Sequence, residues 1–292
     1  MEIGLRGCAS LPLRHDSGGR TPQGRDVTSR TSRDLREVIF VNKAAHTAYT
    51  GLPKPVREMA DALTTALQNG STLPAGRYRQ REGSLIGASE FRIPHDGDTY
   101  RCYQVVAYEE VIYILDAGMK KSSRGGEMPK HDKERLERRL SLAKEAYKSD
   151  ARGIKDEYAA RAASHRTGSV PDRGEIEVVD EENSGPIRGS GNFLLDRGYA
   201  EPDEMRIKFL LANEIALAIE GRGLTEQRAA ELTGLDEPAL SRIARGQVTD
   251  CSLFLLMRPL ASLGKDVRLE WSDASDGEGH IMADAHATPE AA

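Results

Sequence analysis

From residue 36 to residue 149 the apolar positions switch between a period of two and a helical period. REVIFV at 36–41 alternates weakly and predicts a strand, followed by a short polar link. Residues 52–70, LPKPVREMADALTTALQNG, place Val56, Met59, Ala60, Leu63 and Leu67 on one helical face, and Gly70 closes the helix. Three strand candidates come next. They are 84–93 with Leu85, Ile86, Phe91 and Ile93, 99–107 with Tyr100, Cys102, Val105 and Val106, and 110–117 around VIYIL. HDGD at 95–98 is turn chemistry, and the short Tyr108–Glu109 link makes the second pair a hairpin. Pro129 opens a charged helix with Leu136, Leu140 and Ala143 as a sparse inner stripe. Strand, helix, three antiparallel strands and a terminal helix predict a compact α+β layer.

The pattern after residue 190 is helical throughout. Residues 205–220 carry Ile207, Leu210, Leu211, Ile215, Leu217 and Ile219 on or near one face, and Gly221 and Gly223 end that run. Residues 224–247, LTEQRAAELTGLDEPALSRIARGQ, read as two short helices joined by a tight turn. Thr225 caps the first and Gly234 ends it, because a residue without a side-chain carbon tolerates a left-handed turn. Asp236 caps the second, Pro238 fits its first turn, and Leu240 and Ile243 face inward. Small Ala229 and Ala230 let the pair cross closely, as a helix-turn-helix requires, while Ser241, Arg242 and Arg245 point outward. A plain helical hairpin is the alternative on spacing alone. A further helix at 253–263 and an edge strand at 267–271 complete the module, with Trp271 as strand residue or core anchor.

Length divides this pattern into two modest domains within 292 residues. Charged residues make up 30% and aromatics 5%, so part of the chain is expected to stay unpacked. The expected divisions are a disordered tail at 1–35, an α+β domain at 36–149, and a helical extension to about residue 163 with a flexible linker at 150–189. A helical domain at 190–272 and an acidic tail at 273–292 follow. Cys8, Cys102 and Cys251 lack metal-ligand spacing, and an odd number suits a reducing cytosol. With no membrane-length apolar run and no signal-peptide core, a cytoplasmic protein is expected. The net charge of −5 hides an asymmetry: residues 36–149 hold 19 Lys and Arg against 15 Asp and Glu, whereas residues 190–272 hold 10 against 13. A basic module beside an acidic one points to self-complementarity as much as to nucleic-acid binding. No phosphate loop, metal cluster or nucleophile triad is present, so neither a metabolic enzyme nor a cofactor is expected.

Two resemblances sharpen this picture. Leu224, Thr225, Ala229, Ala230, Leu232, Gly234, Pro238, Ser241, Arg245 and Gly246 fall on the pattern of lambda-repressor-like (XRE) helix-turn-helix domains of HigA-type antitoxins. That resemblance covers about 191–271 and includes Phe254, Leu256, Met257, Leu260, Ala261, Leu263 and Gly264. It implies operator DNA as partner, a homodimer, and DNA contacts by Thr225, Gln227, Glu237, Ala239, Ser241, Arg242 and Arg245. Glu237 stands where the family has a Gln that touches DNA, and Ala239 where a basic residue is common. A carboxylate facing phosphates is repelled, which lowers the expected affinity.

Residues 38–147 resemble HigB/RelE-type toxins of the phage-derived HigB branch. The match rests on Glu90–Phe91–Arg92, Tyr100–Arg101 followed by Tyr103, the VIYIL strand, and Lys120–Lys121 before Pro129. Asp116 and Gly118–Met119 replace the His and Phe common there. The family cleaves mRNA, usually on the ribosome, which requires activating a ribose 2′-hydroxyl, stabilising a crowded phosphate and protonating a leaving oxygen. The residues available are Arg92, Arg101, Tyr103, Lys120, Lys121 and His131. Arg92 and Arg101 either clamp phosphate or pair with Glu82, Glu90 or Asp98. Tyr103 is either a proton-handling group or a rim residue of the core. His131 has the better intrinsic pKa for proton transfer but lies outside the motif, and reads equally as a surface helix residue.

The expected protein is a fused toxin–antitoxin polypeptide: a RelE-like α+β module, held silent by an intramolecular contact with an all-α antitoxin module that binds operator DNA. The alternative is a transcriptional regulator whose first domain is catalytically inactive and serves dimerisation or RNA binding.

Overall fold

The computed structural model describes residues 35–120, 128–163, 182, 184–269 and 273. The expected tails, Lys121, Trp271 and most of the acidic patch near residue 180 lie outside these residues. An N-terminal α+β region with a mixed sheet is followed by a helical region. The first region begins with β1 (Glu37–Phe40), α1 (Lys43–Thr50), α2 (Lys54–Gln68) and β2 (Tyr78–Gln80). A 3-10 turn, β3 (Ser89–His95), β4 (Asp98–Val105), β5 (Val111–Met119) and α3 (Lys130–Ala163) follow. The six strands run in the order β2-β3-β4-β5-β1-β6, where β6 is Ile187–Arg188.

Several elements differ from the sequence pattern for identifiable reasons. The polar link after β1 is the helix α1, because the Asn42 side chain accepts from the Ala45 amide and Ala45 and Tyr49 sit one turn apart, both fully buried. Only the second half of the 84–93 strand candidate is extended. Gly83–Leu85 forms a 3-10 turn instead, burying Leu85 and leaving Ile86 68% exposed. The three-residue β2 pairs with β3 at the sheet edge, and β1 runs parallel to β5. Within the segment read as a linker, Ile187–Arg188 forms β6, which pairs antiparallel with β1. There Arg188 binds Glu37, with Nη2–Oε2 at 2.5 Å, and Glu157 at 2.7 Å.

The second region holds a short helix α4 (Phe193–Asp196), then α5 (Pro202–Gly221), α6 (Glu226–Thr233), α7 (Glu237–Ala244) and α8 (Leu253–Ser262). Its turn chemistry is local. Thr225 Oγ1 accepts from the Arg228 amide, Gly234 takes φ +71°, and Asp236 Oδ1 accepts from the Ala239 amide. The strand expected at 267–271 does not form over its described part, and Leu269 is 64% exposed.

One apolar core spans both regions. Phe91, Ile93, Cys102, Ile112 and Ile114 on one sheet face pack with Val56, Met59 and Leu63 of α2, and onward to Phe209, Ile215, Leu240 and Leu256. On the other face Tyr103, Val105, Tyr113 and Leu115 pack under Leu136, Leu140 and Ile154 of α3. Helix α2 is therefore buried on two sides, which is why Asp61, Thr64, Thr65 and Gln68 are as inaccessible as its apolar stripe. Close approach is enforced at Gly246 (φ +82°), where an added Cβ would come within 2.5 Å of the Ala62 Cβ.

Candidate functional site

Of the candidate catalytic residues of the first region, Arg92, Arg101 and Tyr103 share one sheet face, whereas His131 stands on α3 and Lys121 lies outside the described residues. The register pairs Arg92 with Arg101, Glu90 with Tyr103, and Tyr103 with Asp116. Alternation along the strands then puts Glu90, Arg92, Arg101, Tyr103 and Asp116 on the side that α3 partly covers. Glu90 is fully buried and is the hub of the group. It receives Arg101 at 2.5 Å, Arg92 at 3.1 Å and Arg81 at 3.3 Å. Burial pushes its carboxyl up, but the Arg101 hydrogen bond and charge, with Arg92 and Arg81, outweigh this and hold it below the usual range. Three guanidiniums around one carboxylate leave positive charge in excess, the requirement for holding a phosphate. Of the alternatives left open by the sequence for Arg92 and Arg101, the structure shows the pairing, with Glu90 as the shared acid.

Proton handling is less well provided. Burial pushes the Tyr103 phenol up to about 12, and the Glu90 charge adds to this, so it remains a hydrogen-bond donor at neutral pH rather than a base. Lys120 follows β5 with its amide on Thr99 O at 2.8 Å, on the Asp116 side by alternation. His131 lies in the first turn of α3 with its side chain 84% exposed, its Nδ1 3.4 Å from Arg135. Arg135 connects it to Asp116 through bonds of 3.1 and 2.9 Å, and Arg139 adds one of 2.8 Å. Asp116, noticed in the sequence only as a departure, is thus the anchor that ties α3 across the sheet. Arg139 and Arg138 also hold Glu182, pulled down to about 2 chiefly by the Arg139 hydrogen bond. Sequence reasoning missed Glu90 as hub and Arg81, Arg135 and Arg139 as partners. The same-face spacing of Glu90 and Arg92 was the one available signal.

In the second region Thr225, Gln227, Glu237 and Arg242 are exposed, while Ala239, Ser241 and Arg245 are half-buried. Ala239 and Arg242 line a cleft of about 400 Å³ together with Lys54, Pro55 and Glu58 from the start of α2. At the other end of α7 the Arg77 guanidinium donates to Ala244 O.

Residues 193–271 match the family model described as Helix-turn-helix domain, and residues 49–141 match that of Phage derived protein Gp49-like (DUF891). The chain joins a Gp49-like region to a helix-turn-helix domain. No curated protein and no solved structure matches it. Among the described residues no helix is long and apolar enough to cross a membrane, and no group of three His, Cys, Asp or Glu is placed to hold a metal.

The junction between the two regions is polar at its centre. Asp61 of α2, 1% exposed, accepts from Tyr49 Oη at 2.9 Å and Tyr199 Oη at 3.0 Å, with Arg197 Nε 3.6 Å away. Arg197 also stacks over the Tyr49 ring, 5.3 Å from its centroid. Around this centre, Thr249 Oγ1 donates to Glu58 at 3.2 Å and Asn213 Nδ2 donates to Thr72 O at 2.9 Å.

Proposed function

We propose that this chain is a fused toxin–antitoxin regulator. Its HigA-like helix-turn-helix binds operator DNA as a homodimer, and its HigB-like, RelE-like module is an mRNA interferase kept silent in the intact protein. The observation that carries this reading is the single core shared by the Gp49-like region and the helix-turn-helix domain, which makes their association a property of the fold. The domain order and the Arg81–Arg92–Arg101 cluster support the RNA-directed half, and the exposed Arg242 on α7 supports the DNA-directed half. The helix-turn-helix docks on the α2 side of the sheet, away from the cationic cluster. Silence is therefore assigned to α3, held across the cluster's face by groups beyond the first module: Glu182 binds Arg138 and Arg139, and Arg188 binds Glu157. A second reading, a DNA-binding regulator with an inactive first domain, is favoured by the raised Tyr103 and the outlying His131.

Induction of residues 36–163 is the test, compared with the full chain and with Arg92→Ala/Arg101→Ala in the same fragment. Growth arrest by the folded fragment alone, relieved by the double substitution, is the expected result. A soluble, helical fragment without RNA cleavage selects the second reading. RNA cleavage by the intact chain overturns the silencing.

A further inference from the structure

In a helix-turn-helix the second helix enters the major groove, while the start of the first faces a flanking phosphate strand. Thr225, Glu226 and Gln227 at the start of α6 are exposed. The loop leading to β2 packs against the ends of α5 and α7: the Ala75 amide donates to both Glu220 carboxylate oxygens at 3.1 Å, and Arg77 docks on the last carbonyl of α7. Arg77, Arg245, Ala244 and Gly246 share one small cavity. Burial lowers the Arg77 guanidinium to about 10, with Arg245 pushing the same way and Glu220 and Glu226 opposing, so it stays charged at neutral pH. Arg77 thus sits at the end of α7, with the end of α5 beside its loop. Two residues on, Arg79 is exposed on the edge strand, on the sheet face that also carries Arg92 and Arg101.

We propose that the DNA-binding surface continues from the helix-turn-helix onto the Gp49-like region, where Arg77 and Arg79 contact backbone phosphates flanking the groove read by α7. The charge on the two sides of α7 sets the direction. One side faces a cleft whose charges balance, Lys54 and Arg242 against Glu58 and Asp250, so it offers a phosphate strand no net attraction. The other presents Arg245, Arg77 and then Arg79 around the β2 edge. Duplex DNA seated on α7 leaves along the second. The inference rests on DNA binding by the helix-turn-helix.

The test uses the full chain and a duplex selected by it from random-sequence DNA, with affinity measured across salt concentrations. Arg79→Ala, at an exposed position, is expected to keep the wild-type thermal midpoint, to weaken binding roughly five- to tenfold near ~0.1 M salt, and to flatten the log–log salt slope by about 0.9. Arg242→Ala is the control within α7 and is expected to reduce preference for the selected sequence. If Arg242→Ala weakens binding while Arg79→Ala matches wild type in affinity and slope, the extended surface is refuted and the helix-turn-helix reading stands. If Arg242→Ala has no effect, that reading fails and the extension fails with it.

Discussion

Replacing Asp61 by Asn isolates the buried charge at the junction and gives a signed prediction. Burial pushes the Asp61 carboxyl up to about 6, against the pull of Arg197 and the two tyrosine hydroxyls. In an unfolded chain an aspartate titrates near about 3.9. The native protein therefore takes up this proton at higher pH than the unfolded chain does. Across the window from about pH 4 to pH 6 it holds more protons than the unfolded state, so stability falls as pH rises through the window and levels off above it. A displacement of about two pH units corresponds to about 3 kcal/mol. Glu182 titrates with the opposite sign: its lowered pKa contributes stability above the ordinary carboxylate range that is lost as pH falls towards 2. That contribution is common to wild type and Asp61→Asn and cancels in their difference.

Urea unfolding of both proteins from pH 8 to pH 4 measures this difference directly. Asp61→Asn also leaves Arg197 without its carboxylate, a constant offset that shifts the curve without tilting it. On acidification from pH 7 to pH 4 wild type is expected to gain about 2 kcal/mol on the variant, most of the full displacement. A flat difference, or one that grows towards alkaline pH, would show that the Arg197 pairing outweighs desolvation and would refute the reasoning.

Glu90→Gln removes the one negative charge among Arg81, Arg92 and Arg101 and is expected to cost about 3 kcal/mol in urea unfolding. Added inorganic phosphate should raise its thermal midpoint more than that of wild type, and equal response would count against a phosphate-binding cluster. Cutting the chain at a protease site engineered between residues 164 and 181 is expected to leave both pieces together in size-exclusion chromatography. The core joining Met59 and Leu63 to Phe209 and Ile215 survives the cut, as does β6 on β1. Separation in native buffer would show that the tether, not the core, holds them.

What the sequence made legible is local. The Thr225 and Asp236 caps and the Gly234 turn depend on residues within four positions, and the helix-turn-helix follows from them. The stripe Val56–Met59–Ala60–Leu63–Leu67 shows that α2 meets a sheet. It says nothing of the opposite side, where Asp61 and Ala62 are buried by a partner more than 130 positions away. The three-residue β2 is too short for a period, and β6 owes its pairing to an edge strand far back in the chain. Glu90 was one of three acids within reach of Arg92 and Arg101, and only its burial selects it. Asp116 is informative only once α3 lies across β5.

The arrangement separates two tasks without isolating them. The helix-turn-helix covers the α1–α2 side, α3 covers part of the other, and the sheet lies between. At the β2 edge the separation narrows to one residue: Arg77 gives its side chain to Ala244 O of α7, and its carbonyl accepts the Arg92 amide at 2.9 Å. The helix offered to DNA and the strand bearing the Glu90–Arg92–Arg101 cluster are thus two hydrogen bonds apart. On the proposed reading, a silencer built as a plug over the cluster would have to leave for an RNA-binding face to open. Here the cover is α3, part of the Gp49-like region itself, so the helix-turn-helix keeps its place on α2 whether or not α3 moves. Position on DNA and exposure of the cationic face are consequently set by different contacts, the first by the α2 junction and the β2 edge, the second by Asp116 and Glu182 on α3.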